Sequence, residues 1–219
     1  MIFDGAPERP ARDLFMWRVL YPVVRVVITS LLHIDVEGRE HLPERGPYLI
    51  VSNHQNWKDP PLLVFGLDLD VRFMAKIEAF DLPILGFVLR GIGSFAVRRG
   101  EADRRALVTA LRVLAAGRVL GFFPEGHRSQ NGALLRAKPG IAFLVRRVPD
   151  VPIVPCAVMG SKASLLRLAL DRRVRIRLGP PFHVRDLGPD ERRDEQSVAD
   201  GVFGRVALLV PPDMKGAYG

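Results

Sequence analysis

Tyr48-Leu49-Ile50-Val51-Ser52-Asn53-His54-Gln55-Asn56-Trp57-Lys58-Asp59-Pro60-Pro61-Leu62-Leu63-Val64-Phe65 is the stretch on which the fold turns. Tyr48 to Ser52 is a short, apolar, partly β-branched run, which reads as a buried strand. Asp59 can cap a helix and Pro60 suits its first turn, so the apolar residues from Pro61 onward read as helix. Between the two lies a polar turn leaving the carboxyl end of a buried strand, the place where open α/β sheets put their ligand sites.

Working outward, the strand–turn–helix plan repeats. Val71 to Ala75 and Ser94 to Val97 read as strands, with a short apolar helix over Leu82 to Leu89 between them. Glu101 to Ala116 carries Leu107, Leu111 and Leu114 at helical spacing and has Gly117 as its stop. Val119 to Phe123 is an unbroken apolar run before Pro124, a central strand covered on both faces. A helix is predicted over Gly140 to Arg147, and a strand over Val151 to Val158 whose Pro152 and Pro155 place it near an edge or a bend. Arg173 to Leu178 alternates, a strand with one wet face, and the charged tail turns helical at about Ser197 to Val210. The expected fold class is α/β, a layered fold with a largely parallel central sheet flanked by helices. Three regions are expected: an N-terminal membrane-interface segment over 1–35, a catalytic domain over 36–185 and a helical tail over 186–219.

The N-terminal segment is the most apolar. Leu14 to Ile34 is interrupted only by Arg18, Pro22 and Arg25, which share one helical face. Two readings fit it: an amphipathic helix lying in a membrane interface, or a packing helix with snorkelling arginines. No stretch is long and charge-free enough to span a bilayer, and no signal peptide is expected.

The chain has 219 residues, 48% apolar and 26% charged, a balance that excludes general disorder. Its net charge of +8 rests on 27 Arg and 5 Lys against 24 carboxylates, pointing to anionic partners such as a membrane surface or phosphorylated ligands. Cys156 is the single cysteine, in an apolar strand, an inert core thiol that rules out an internal disulfide and any cysteine zinc cluster. His33, His41 and His183 lack metal-ligand spacing, so no metal is expected. Gly91-Ile92-Gly93-Ser94-Phe95-Ala96 fits a dinucleotide fingerprint but precedes a strand rather than following one, and there is no phosphate-binding Walker motif and no nucleophile elbow. Neither a recognition helix nor exposed aromatics among the basic residues indicate a nucleic-acid partner.

Two polar turns carry the candidate chemistry. A turn over Asn53 to Asp59 can bring His54 and Asp59 together, the carboxylate fixing the ring tautomer so that the other nitrogen deprotonates a hydroxyl; the spacing fits a surface loop with a helix cap equally well. Phe123-Pro124-Glu125-Gly126-His127-Arg128-Ser129 again follows a buried strand. There Gly126 allows close backbone approach and Arg128 can clamp an anionic oxygen, while Glu125 orients Arg128, accepts a hydroxyl or caps the turn. Arg98 and Arg99 after another strand, and Lys138, add cations at the same edge.

These residues resemble a known family. Asn53-His54-x-x-x-x-Asp59, Phe95-Ala96-Val97-Arg98, Phe123 to Ser129 and Val151-Pro152-Ile153-Val154-Pro155 match, in order and rough spacing, the four motifs of the glycerophospholipid acyltransferases, and most resemble the bacterial 1-acylglycerol-3-phosphate enzymes. The resemblance implies an acyltransferase with His54 as general base and Asp59 orienting it. It implies a glycerol-phosphate site from Arg98, Glu125, Gly126 and Arg128, to which Lys138 is added. It further implies acyl-CoA or an acyl carrier protein thioester as co-substrate, no cofactor, a lysophospholipid acceptor, and a peripheral or monotopic place on the cytoplasmic face of the cell membrane. His127 stands where the family usually has Thr, which bears on the acceptor rather than the reaction. The alternatives are the same chemistry on another lipid acceptor, a hydrolase using the same pair on water, and a catalytically silent membrane-surface protein.

Overall fold

The computed structural model describes residues 15–32, 34–91, 93–97, 104–164, 167–168, 170 and 174–219. Seven strands form one sheet: β1 (Ile34–Glu37), β2 (Tyr48–Ser52), β3 (Val71–Lys76), β4 (Phe95–Val97), β5 (Val119–Phe122), β6 (Ile153–Met159) and β7 (Val174–Leu178). Their order is β1-β7-β6-β2-β5-β3-β4, and every neighbouring pair is parallel except β6 with β7. The helices are α1 (Phe15–Leu31), α2 (Asp59–Leu67), α3 (Pro83–Gly91), α4 (Arg104–Ala115), α5 (Gly140–Arg147) and α6 (Glu195–Ala207). The fold is therefore mixed α/β with a mostly parallel central sheet flanked by helices.

Side-chain alternation along β2 feeds two cores. Leu49 and Val51 join Ala110 and Leu114 of α4, Ile141 and Leu144 of α5, and Val202 and Phe203 of α6. Tyr48 and Ile50 face the other way, onto Tyr21 of α1, Leu63 and Phe65 of α2 and Leu89 of α3. A strand covered on both faces must be apolar throughout, and all five residues of β2 are buried. The chain leaves β2 through α2 on one face and the adjacent β5 through α5 on the other. This reversal opens a crevice outside the carboxyl ends of β2 and β5.

Two sequence expectations differ from the structure. β6 is a central strand, buried along its whole length and paired with both β2 and β7, rather than an edge. Pro155 is tolerated because the β7 ladder bulges opposite it. From Ile153–Phe182 to Cys156–Leu178, three steps along β6 face four along the returning chain, so no partner waits for the missing N–H. β1, where the sequence reading places no strand, is a four-residue strand on the sheet's edge, too short for its alternation to stand out. Cys156 is fully buried, and burial pushes its thiol up to about 12, as expected of an inert core cysteine.

α1 packs on α2 through Tyr21, whose ring lies 5.2 Å from that of Phe65 and whose hydroxyl donates to Asp68 at 3.0 Å. Arg25 turns the same way, its Nε 3.4 Å from Asp68. Arg25 thus meets the protein, while Val23, Val26 and Val27 stand exposed. Among the described residues no helix is long and apolar enough to cross a membrane.

Candidate active site

β2 stops at Ser52, but its pairing to β6 is continued by a side chain. The Asn53 amide donates to the Val158 carbonyl at 2.9 Å and accepts from the Val158 N–H at 2.7 Å, a mock ladder that fixes where the chain leaves the sheet. The next residues fold back on Asp59, in the first turn of α2. One carboxylate oxygen, Oδ2, accepts the backbone N–H groups of Gln55 and Asn56, each at 2.7 Å, and Nδ1 of His54 at 2.8 Å. Lys58, not Asp59, holds the cap position. Asp59 works inward, closing the turn beneath the histidine.

This geometry sets the tautomer. A carboxylate can only accept, so Nδ1 of His54 carries the proton and Nε2 keeps its lone pair. The ring stacks on Phe123 with centroids 4.3 Å apart and an 18° tilt, and Phe123 stacks in turn on Phe73 at 5.3 Å. His54 is only 6% exposed and Asp59 fully buried. The imidazole is held on one edge by charge and on one face by a ring, an arrangement suited to accepting a proton at Nε2.

The turn after β5 grips the backbone of the same histidine. The His54 N–H donates to Oε1 of Glu125 at 3.0 Å, and its carbonyl accepts the Ser129 N–H at 2.8 Å. Glu125 is 1% exposed. Burial pushes its carboxyl up to about 8, against the opposing pull of the N–H groups of His54 and Leu135, and the charge of Asp59 adds to the rise. Of the roles open to Glu125 in the sequence, the structure displays a fourth: it braces the His54 turn. Among the described residues its second oxygen has no hydrogen-bond partner, and Arg128 is not bonded to it.

Gly126 has φ +73°, and a Cβ there would meet the Lys138 side chain at 3.1–3.2 Å. Lys138 reaches this turn because its N–H bonds the Pro124 carbonyl at 2.9 Å. Lys138, Arg128 and His127 are all exposed. The structure thus gathers His54, Asp59, Glu125, Gly126, Arg128 and Lys138 at the carboxyl edge of β2 and β5, while Arg98, with Arg99, lies outside the described residues. Sequence reasoning missed three supports: Asn53; Gln55, whose amide donates to the Gly132 carbonyl at 2.9 Å; and buried Lys58, whose Nζ donates to the Ala163 carbonyl at 2.8 Å. Two of these fill variable positions of the His-x-x-x-x-Asp spacing, where residue type alone carried no signal.

A stacked, carboxylate-paired histidine thus sits over the switch point of a mostly parallel sheet, the place where α/β folds put their ligand sites. Comparison with known proteins makes the class specific: the family described as Acyltransferase matches residues 33–159, and the chain belongs to that family. It is 26% identical over 173 residues to the 1-acyl-sn-glycerol-3-phosphate acyltransferase of Bacillus subtilis, covering 78% of this chain and 85% of that protein. The corresponding Streptococcus pneumoniae enzyme is 28% identical, with 84% and 71% covered. The chloroplastic LPAT1 enzyme of Arabidopsis thaliana is 36% identical over 141 residues, and there the match covers 62% of this chain but 38% of the relative. The crystal structure of the 1-acyl-sn-glycerophosphate (LPA) acyltransferase PlsC from Thermotoga maritima shares the fold, with a TM-score of 0.66 at 23% identity over 89% of this chain and 80% of that one.

Proposed function

We propose that this acyltransferase moves a fatty acyl group from a thioester, acyl-CoA or acyl carrier protein, to the free hydroxyl of 1-acylglycerol-3-phosphate, giving phosphatidate. The observation that carries the reading is the buried His54–Asp59 pair with Nε2 left as the acceptor. Nε2 takes the hydroxyl proton as the oxygen attacks the thioester carbonyl. The tetrahedral adduct then expels the thiolate, and the proton held on His54 passes to sulfur, so the histidine ends neutral. Asp59 orients the ring and stabilises the imidazolium between the two transfers. No acyl-enzyme is required.

Arg128, Lys138 and Gly126, with Arg98, bind the acceptor's phosphate at the turn after β5. The names of the relatives favour this acceptor, and His127, exposed on that turn, is the residue that would shift preference to another lysolipid. The exposed valines of α1 and the net positive charge hold the enzyme on the anionic cytoplasmic face of the membrane. Incubating the protein with a panel of lysolipids and each thioester, with lipid mass spectrometry as readout, tests the assignment. Phosphatidate from lysophosphatidate supports it, and acylation of a different acceptor alone, or release of free fatty acid alone, overturns it.

A further inference from the structure

Acyl transfer between a thioester and a phosphorylated glycerol brings two anions to one histidine. The donor carries the phosphate of its phosphopantetheine arm, whether that arm belongs to CoA or to a carrier protein, and the acceptor carries its own. The cations read so far, Arg128 and Lys138, lie on the β5 side of His54. On the β6 side, at the carboxyl end of that strand, a cleft of about 480 Å³ opens between Gln55, Gly132, Gly160, Lys162, Arg167 and Asp213. That volume lies in the range of about 300–1,000 Å³ usual for small-molecule sites.

Three features of this cleft bear on its ligand. It begins one residue from the histidine, since Gln55 forms its wall and the Gln55 amide is tied to Gly132. An atom at the Cβ position of Gly132 would lie 3.6 Å from Lys162 and 3.8 Å from the Gln55 amide, so cation and wall meet at one point. The lining is mixed: the side-chain amides of Gln55 and Asn131 and two cations against one carboxylate alternate with Ala133, Ala163 and Met214. A lysolipid acyl chain would leave those amides and cations without partners, whereas a phosphopantetheine arm brings two amides, a short apolar stretch and a terminal phosphate to a mixed wall of this kind. The floor is braced, too: buried Lys58 holds the Ala163 carbonyl, and Nζ of Lys162 bonds the Gln130 carbonyl.

We infer that the cleft bounded by Gln55, Lys162 and Arg167 is the donor-arm site, which seats a phosphopantetheine thioester on the β6 side of His54 with its phosphate between Lys162 and Arg167. The inference rests on the acyl-transfer reading above and adds the donor's place to it.

The test uses the full chain and two variants, Lys162→Gln and Arg167→Gln, together and singly. Direct binding of 4′-phosphopantetheine and of pantetheine without phosphate is measured by calorimetry. In parallel, KM is measured for acyl-CoA, for the acyl carrier protein thioester, for an acyl-N-acetylcysteamine thioester that lacks phosphate, and for the acceptor. The site predicts that wild type binds 4′-phosphopantetheine more tightly than pantetheine and that the double variant loses this preference. Its KM for a phosphate-bearing donor should rise about tenfold or more, the worth of one charge-assisted contact, with the KM for acceptor and for the N-acetylcysteamine thioester unchanged. A rise with one natural donor only names that donor; a rise with both assigns the cleft to the arm they share. A raised KM for the acceptor, equal losses with all thioesters, or unchanged phosphopantetheine binding would overturn the site. Absent turnover in wild type would strike the acyl-transfer reading instead, and the calorimetry would still decide the cleft.

Discussion

Oδ2 of Asp59 sits 2.8 Å from Nδ1 of His54, and that single oxygen also receives two backbone N–H groups of the turn between them. In the proposed mechanism catalytic orientation and local folding therefore depend on the same atom, and the two effects separate by choice of variant. Asp59→Asn keeps the shape but presents a neutral, weaker acceptor, and it should lower turnover by about 10²- to 10⁴-fold, the usual worth of general-base assistance, with a modest loss of melting temperature. Asp59→Ala strands the buried Gln55 N–H, at a cost of about 1–3 kcal/mol, along with the half-buried Asn56 N–H, and should also destabilise the fold measurably in a thermal melt.

Glu125 predicts the pH dependence. Its folded carboxyl titrates at about 8, whereas the ordinary value is 4.5. Between those values the unfolded chain has released the proton that the folded chain keeps, so stability falls as pH rises through this window. Above pH 8 a charge appears beside Asp59 and under the His54 turn. An alkaline fall in rate centred near pH 8 is expected, and Glu125→Gln, which keeps an oxygen for the His54 N–H, should remove both that limb and the slope in stability. The pH–rate profile and melts from pH 5 to 9 check both.

Arg128 and Lys138 should act on the acceptor more than on the chemistry. Either alanine variant is expected to raise KM for lysophosphatidate about tenfold, with a smaller change in kcat and none in donor KM. Initial-rate kinetics in mixed micelles read the difference.

Val23, Val26 and Val27 point away from the protein, so replacing Val23 and Val27 by Asp removes no core packing. Melting temperature should hold while sedimentation with anionic vesicles falls several-fold, since the apolar anchor is gone and basic residues contribute only about 1 kcal/mol each. High salt should weaken what binding remains.

Much of this was legible in the residues. The apolar run Tyr48 to Ser52 and its polar turn located the sheet's centre and the dyad, because a strand buried on both faces leaves no room for polar alternation. The helix over Gly140 to Arg147 appears with the expected bounds for the same kind of reason, an apolar stripe set against arginines. What the sequence hid is tertiary. Pro155 argued for an edge or a bend, and only the extra residue in the returning chain opposite it lets a proline sit inside the sheet. Glu125 read as a group that orients Arg128, accepts a hydroxyl or caps its own turn, yet the crossing of two turns buries it against the His54 backbone. Arg25 fitted both readings of α1, interfacial helix and packing helix, and Asp68 at the end of α2 draws it onto the protein.

The central claim is that Nε2 of His54 takes the proton from the acceptor hydroxyl. Its most direct test is lipid mass spectrometry of wild type and His54→Ala with lysophosphatidate and a thioester donor, both proteins first matched for folding by circular dichroism. Wild type should form phosphatidate, and the variant should lose about 10²-fold or more of that rate. Phosphatidate formed at an undiminished rate by folded His54→Ala would contradict it.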